Sequence, residues 1–253
     1  MFFRFSLIRF SDFYLLLSVL IAGQVISHIA MAKSKDMENY DALAHDLALF
    51  IREARSVVSK RPKFIHNPSE VHMTPDQFIQ LTERNFARSF GKGSAQRFEE
   101  TKMLKHSIRY VIEKAVSGNY KNRWSEGLYQ GKFLPARFAS EVALHFSHTP
   151  GNRISVKLTA PDRFLVNEKN ESDDWERKVF NTNFLKDWPK NKSYTEVVEE
   201  KNQKIFRFML PEYYKRDCIG CHGGEEGRRI HKGKVSGMLG DIGGAISVSI
   251  LLK

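Results

Sequence analysis

Apolar positions recur at helical spacing through the first half of the chain and alternate with polar positions in much of the second half. The first helical stripe covers residues 43–58. A second helix is predicted after Thr74, where Thr-Pro-Asp-Gln matches a capping box with proline at the first helical position, and it should stop near Gly91. A third stripe covers residues 98–115 and ends at Gly118-Asn119, a pair typical of a helix C-terminus.

The second half predicts one more helix, opened by Pro135, and then strands. Residues 154–158 alternate as a half-buried strand does, and Ser172-Asp173-Asp174 should cap a short helix. Residues 194–199 and 204–210 form a hairpin pattern around a polar turn, and residues 245–252 form a last strand rich in β-branched side chains. Helices followed by an antiparallel sheet predict an α+β fold.

The only two cysteines lie in one five-residue string, Cys218-Ile219-Gly220-Cys221-His222. This spacing is the c-type haem attachment signature, in which two thiols form thioether bonds and the adjacent histidine binds the iron. A dithiol or disulfide pair is an alternative, although the flanking sequence is not that of a thioredoxin-like strand and helix. Structural zinc is another, and His231 alone would have to complete its ligand set.

The N-terminus predicts export. Arg4 and Arg9 precede an apolar stretch over residues 13–23, and Ala30-Met31-Ala32 offers small residues at a signal-peptidase site. An uncleaved anchor over residues 13–32 is the alternative, because about 20 residues span a bilayer. Either interpretation places the remaining chain in the periplasm, where c-type haem is attached.

The charge balance is basic, with a formal net charge of +11. Such a balance suits an acidic partner protein, and no nucleic-acid-binding motif accompanies the basic residues. They are scattered except over residues 228–234, where Arg228, Arg229, Lys232 and Lys234 are clustered. A solvated loop explains this run better than a docking patch does.

With these motifs in order, the chain resembles a single-haem c-type family in which the haem lies in a PAS-like domain. Its members are stand-alone exported proteins and the sensory regions of bacterial histidine kinases and chemoreceptors. The resemblance covers about residues 133–250, and its marks are the following: Phe133-Leu134-Pro135-Ala136, residues 153–158, Asp173-Asp174-Trp175-Glu176, residues 207–211, the cysteine string with Gly223, and residues 240–248. It implies one covalent haem c on Cys218 and Cys221, with His222 as axial ligand. The expected organisation is a signal or anchor over 1–32, a helical region over 33–132 and a PAS-like haem domain over 133–253.

The chain departs from some members of that family on the far side of the haem. Those members are similar in carrying a cysteine just before the Pro-Ala element, but Tyr129-Gln130-Gly131-Lys132 stands there and no third cysteine exists. The sixth iron position is therefore open, water-filled or taken by another side chain. The candidates are His145, His148, Met209, Met238 and Tyr129.

Three functional classes follow from these patterns. The first is an electron carrier or redox-responsive haem protein with an acidic redox partner. The second is a haem-based sensor that binds NO, CO or O₂, and it would need a separate signalling partner because the sequence ends at Lys253 without a kinase or receptor segment. An enzyme is disfavoured, since no paired acid and base motif is visible for the distal side.

Overall fold

A computed structural model describes residues 10–60, 73–91, 98–116, 134–233 and 235–252, with side chains from residue 35 onward. The chain divides into two compact units, residues 1–42 and residues 43–253. In the first unit the backbone is α-helical from Phe10 onward. The predicted helix end at Gly118-Asn119 and the ligand candidate Tyr129 lie outside the described residues, as do Arg4 and Arg9 of the predicted signal.

In the described ranges, four helices precede the sheet, in agreement with the apolar periodicity. They are α1 (Phe10–Lys60), α2 (Pro75–Phe90), α3 (Glu99–Val116) and α4 (Pro135–Ser147). The predicted capping box is present, because the Thr74 hydroxyl accepts from the Gln77 amide while the Gln77 side chain accepts from the Thr74 amide. Gly91 ends α2 with φ of 93°, a conformation that favours glycine.

The second half forms one four-stranded antiparallel sheet, in the order β1-β4-β3-β2. The strands are β1 (Ile154–Thr159), β2 (Tyr194–Glu200), β3 (Gln203–Tyr213) and β4 (Ile242–Leu251). The described α-helices between them are α5 (Asp174–Val179), α6 (Arg216–His222) and α7 (Gly224–Ile230), and a π-helical turn, Phe180–Phe184, continues α5. The predicted α+β class is therefore confirmed.

Local sequence explains how β2 and β3 pair. Lys201 and Asn202 both have positive φ, 50° and 62°, as a two-residue hairpin turn requires. Proline is tolerated inside β3 because β2 stops at Tyr194, opposite Met209, so no strand requires the missing N–H of Pro211. The Pro211 carbonyl instead accepts a hydrogen bond from Arg52 of α1, at 2.9 Å.

The core of the second unit is formed by the helices and the sheet together. The buried stripe of α1 includes Leu47 and Phe50, and Phe50 contacts Phe86 of α2 with ring centroids 5.6 Å apart. Helix α4 packs on β1 and on α3. One cluster of buried side chains lies between α5 and the sheet and comprises Val179, Phe180, Phe184, Met209, Ile242 and Ala245.

The segment between β3 and β4, residues 215–240, is a closed excursion from the sheet. The Tyr214 amide donates to the Asp241 carbonyl at 2.8 Å, and the Gly240 amide donates to the Tyr214 carbonyl at 2.9 Å. These two bonds hold the ends of the segment together directly beyond the last paired residues, Tyr213 and Ile242. The excursion carries α6, α7 and the cysteine string.

Candidate functional site

The cysteine string forms helix α6. Lys215 enters the helix in an extended conformation, and Asp217 in the first turn interacts favourably with the helix dipole. Cys218 and Cys221 are three positions apart and therefore lie on neighbouring parts of one helical face. Both are partly exposed thiols that form no disulfide bond, so both are accessible to a reactant.

His222 ends α6 and is held by two other side chains through a single ring nitrogen. Its Nδ1 atom lies 3.2 Å from the Tyr214 hydroxyl oxygen and 3.1 Å from Nε2 of His231. Its ring also stacks on Tyr214, with centroids 4.9 Å apart and an interplanar angle of 24°. Both partners are buried: His231 is 0% exposed and Tyr214 is 8% exposed.

The surroundings favour the neutral forms of these groups. Burial lowers the pKa of His222 to about 4, and the electrostatic influence of the neighbouring His231 and Arg55 acts in the same direction. Burial also raises the pKa of the Tyr214 hydroxyl well above its usual value, as do the charges of Cys218 and Asp241. At neutral pH His222 is therefore uncharged, which is the form in which imidazole binds a metal.

Glycines allow the backbone to pack closely around His222 and Tyr214. A Cβ atom on Gly227 would lie 2.0 Å from the His222 carbonyl oxygen, and one on Gly243 would lie 2.1 Å from the Tyr214 ring. Gly237 is equally confined, and its amide donates to the His222 carbonyl at 2.7 Å. The position of His222 is thus fixed through its backbone as well as through its ring.

These residues fit a covalently attached haem. Two accessible thiols on one helical face meet the requirement for two thioether bonds, and a neutral histidine follows them directly. Both hydrogen-bonding contacts of His222 are made by Nδ1, which leaves Nε2 as the nitrogen for iron. In the described part of the chain, no three His, Cys, Asp or Glu side chains are grouped as a metal-binding cluster.

A cationic cavity and an apolar surface lie close to α6. The cavity has a volume of about 440 Å³, and its lining includes the cations Lys190, Lys215 and Arg216. Arg52 also lines it but is ion-paired with Glu212, a further lining residue. Leu239 also lines it and is 65% exposed, and the neighbouring Met238 is 68% exposed. Large apolar side chains exposed beside an attachment helix are suited to contact with an apolar ring system.

The described candidates for the sixth ligand differ in their burial and in the contacts that they already make. Met209 is fully buried in the core cluster beside α5, so its packing is already explained. His145 contacts Ser107 and Tyr110 of α3, and the exposed His148 contacts the Leu144 carbonyl of its own helix. The loop that carries Met238, by contrast, is bonded to the His222 backbone through Gly237.

Sequence reasoning missed the role of Tyr214 and treated His231 only as a possible zinc ligand within a basic run. The side chains of Arg228, Arg229 and Lys232 are exposed, as expected, and Lys234 lies outside the described residues, but the expectation of a solvated loop over residues 228–234 is wrong in two respects. Arg228 and Arg229 belong to the last turn of α7, and His231 is fully buried directly after that helix. In sequence, His231 stands four residues after Gly227, the spacing of a helical hydrogen bond. The structure contains that bond, in which the His231 amide donates to the Gly227 carbonyl at 3.0 Å.

Comparison with known proteins adds one decisive observation. The model of a family described as Tll0287-like matches residues 38–250. The chain belongs to the Tll0287-like family. The match includes the helices from residue 38 as well as the sheet, and so extends far upstream of residue 133, where the resemblance noted from the motifs begins. No curated protein and no solved structure matches the chain significantly.

The helices were also compared with the length and hydropathy that a membrane span requires. Within the described ranges, none is long and apolar enough to cross a membrane.

Proposed function

We propose that this member of the Tll0287-like family is an exported single-haem c-type protein that carries electrons or responds to redox state. In this proposal the family domain is PAS-like, Cys218 and Cys221 hold the haem, and His222 is an axial ligand. The protein acts in the periplasm, after cleavage of an N-terminal signal or on an anchor over residues 13–32.

The observation that carries the proposal is the position of His222. It directly follows two partly exposed thiols on one helix, and both hydrogen-bonding contacts of its ring are made through Nδ1. A metal-bound histidine typically donates its second ring N–H to a protein group, which fixes the orientation of the ring. The arrangement around His222 therefore supports ligation through Nε2.

The residues around the site have distinct tasks. A bound haem supplies an iron centre that exchanges one electron or binds a diatomic gas. Cys218 and Cys221 tether the group, and Tyr214 and His231 orient the imidazole of His222. Met238 and Leu239 offer apolar contact beside the tethers. The cationic lining of the nearby cavity suits carboxylate groups, including those at the edge of a haem.

An acidic redox partner is part of the proposal. Lys215 and Arg216 are exposed just upstream of Cys218, with Asp217 between them and the cysteine, and in the described ranges neither cation forms an ion pair. Exposed positive charges near an electron-exit site accelerate association with a negatively charged partner, and salt screens the effect. The rate of electron transfer to an acidic partner should accordingly fall as ionic strength rises.

The direct test is covalent attachment. The full chain is produced in a host that exports it and attaches c-type haem, and the purified protein is then denatured. We expect haem to stay on the polypeptide in acid acetone and on a denaturing gel, with a mass increase of one haem and no titratable thiol. Cys218→Ala and Cys221→Ala should each sharply lower the holoprotein yield. Complete extraction of haem by acid acetone would refute the proposal.

A gas sensor is the second candidate, and the placement of the distal candidates favours it. Met209, His145 and His148 all have other contacts, so an exposed Met238 is the remaining described candidate for the sixth position. An exposed ligand is easily displaced. Spectra of the ferric, ferrous and CO- or NO-treated protein separate the two functions. A six-coordinate low-spin iron that does not bind CO or NO indicates an electron carrier, and a five-coordinate ferrous iron that binds them indicates a sensor.

A further inference from the structure

His222 is one of four aromatic side chains that are packed into a single group. Its ring centroid lies 4.9 Å from Tyr214 and 5.1 Å from His231. Phe164 closes the group, since its ring lies 5.1 Å from Tyr214 and 5.4 Å from His231. Phe164 is itself 3% exposed. The rings therefore have no room to rotate independently.

From this geometry we propose that His231 is a positioning residue for the metal ligand. Its Nε2 accepts a hydrogen bond from Nδ1–H of His222, while Tyr214 fixes the plane of the His222 ring by stacking. The proposal rests on the proposed haem function and adds the group that sets the strength of the axial ligand.

The first step of the argument concerns protons. Imidazole binds a metal through the lone pair of one nitrogen, and the other nitrogen then carries the proton. With Nε2 assigned to iron, Nδ1 of His222 becomes a donor and requires an acceptor. Two atoms are close enough, the Tyr214 hydroxyl oxygen at 3.2 Å and Nε2 of His231 at 3.1 Å.

The second step chooses between these two acceptors. An imidazole nitrogen lone pair is a stronger base than a phenol oxygen, so it is the better acceptor. His231 is also 0% exposed, and water does not compete for its lone pair. The backbone holds it in place, because its amide donates to the Gly227 carbonyl at 3.0 Å. His231 therefore acts as the acceptor and carries its own proton on Nδ1.

The third step concerns the iron. Donation from Nδ1–H to a buried base makes His222 a more basic ligand, and a more basic ligand stabilises ferric iron relative to ferrous iron. Loss of the group that accepts from a metal-bound histidine typically changes metal affinity by about 10- to 100-fold. Because the accepting group favours the ferric form, this loss falls mainly on ferric iron, and a tenfold change in the relative affinity for the two oxidation states corresponds to about 59 mV for a one-electron couple.

The test compares three variants of the full-length holoprotein: His231→Leu, His231→Gln and Tyr214→Phe. His231→Leu should raise the reduction potential by about 59 mV or more. It should also lower the iron–histidine stretching frequency of the ferrous protein in resonance Raman spectra. His231→Gln supplies an amide oxygen as acceptor and should recover part of both shifts. Tyr214→Phe retains the stacked ring, removes only the hydroxyl and should resemble the wild type.

A wild-type potential and stretching frequency in His231→Leu would overturn the proposal. Large shifts in Tyr214→Phe with none in His231→Leu would identify Tyr214 as the acceptor and would also overturn it. A merely structural role predicts equal effects for His231→Leu and His231→Gln. The haem content of each variant is measured alongside, so that incomplete attachment is not mistaken for a change in potential.

A second arm tests the contact without haem. In the full chain produced without haem and labelled with ¹⁵N-histidine, a scalar coupling across the hydrogen bond should connect Nδ1 of His222 with Nε2 of His231. His231→Gln should abolish it. If this coupling is present and no covalent haem forms, the proposed haem function is refuted and the contact between the two histidines is not. If haem is attached but the coupling is absent and the potential is unchanged in His231→Leu, the positioning role of His231 is refuted and the haem function is not.

Discussion

Replacement of Gly227 by alanine tests whether close backbone packing holds His222, the proposed axial ligand, in place. The new Cβ would lie 2.0 Å from the carbonyl oxygen and 2.4 Å from the carbonyl carbon of His222. Real Cβ contacts stay beyond 3.0 Å, so the two backbones must separate by about 3.0 − 2.0 = 1.0 Å. Both clashing atoms belong to the backbone of His222, so a side-chain rotation cannot relieve the clash.

The magnitude follows from two opposing terms. Overpacking of this kind costs about 1–3 kcal/mol, whereas alanine in a helix is more stable than glycine by about 0.5–1 kcal/mol. We expect a net loss of about 1–2 kcal/mol, which lowers the melting temperature by roughly 2–8 °C in a chain of this size. A shift of about 1 Å would also lengthen the contact between His222 and His231 from 3.1 Å to beyond hydrogen-bonding distance.

Gly220→Ala is the matched control. Gly220 lies between the two cysteines in α6, whereas Gly227 lies in α7. Nothing lies within 4 Å of the position that a Cβ atom on Gly220 would occupy. This variant should be as stable as the wild type or slightly more stable. Thermal unfolding of the haem-free chain and the spectrum of the holoprotein are measured for both variants. If Gly227→Ala matches Gly220→Ala in stability and in spectrum, the argument from close packing is refuted.

Three further predictions concern the sheet and the haem surface. Arg207→Ala removes a buried cation that pairs with Asp173 at 2.6 Å and approaches the buried Glu176 at 3.7 Å, and it should cost about 3–5 kcal/mol in urea unfolding. Burial tends to raise the pKa of Asp173, but the Glu176 backbone hydrogen bond and Arg207 outweigh burial and hold that pKa below its usual value. The resulting stability is present above the unfolded pKa and is lost as pH falls through the folded value, so Asp173→Asn should lose less stability on acidification than the wild type. Met238→Ala should alter the haem spectrum with little effect on stability, whereas Met209→Ala in the core should cost about 2–5 kcal/mol and leave the spectrum unchanged.

The parts of the fold that local sequence determines were predictable. The capping box at Thr74, the turn at Lys201-Asn202 and the alternation of β1 each depend on residues a few positions apart. The pairing of β4 between β1 and β3 depends on contacts across the whole second half, and no local pattern specifies it.

The candidate site divides in the same way. Cys218, Cys221 and His222 are adjacent in sequence, so their chemistry was visible as a motif. His231 was not, because its burial depends on how α7 packs against Phe164 and Tyr214, and its neighbours Arg229 and Lys232 are exposed. The local sequence of a basic run is the same whether its histidine is buried or exposed to solvent, so it could not reveal the burial of His231.

The two hydrogen bonds that close the 215–240 segment bear on the order in which the sheet folds and a haem could be attached. Because two backbone hydrogen bonds join its ends beside the last β3–β4 pair, residues 215–240 can open while the ladder between those strands stays intact. If the chain receives a covalent haem as proposed, the opened segment exposes the cysteine string while the sheet stays folded. Sheet formation can then precede haem attachment, and the chain need not remain unfolded until its cofactor arrives.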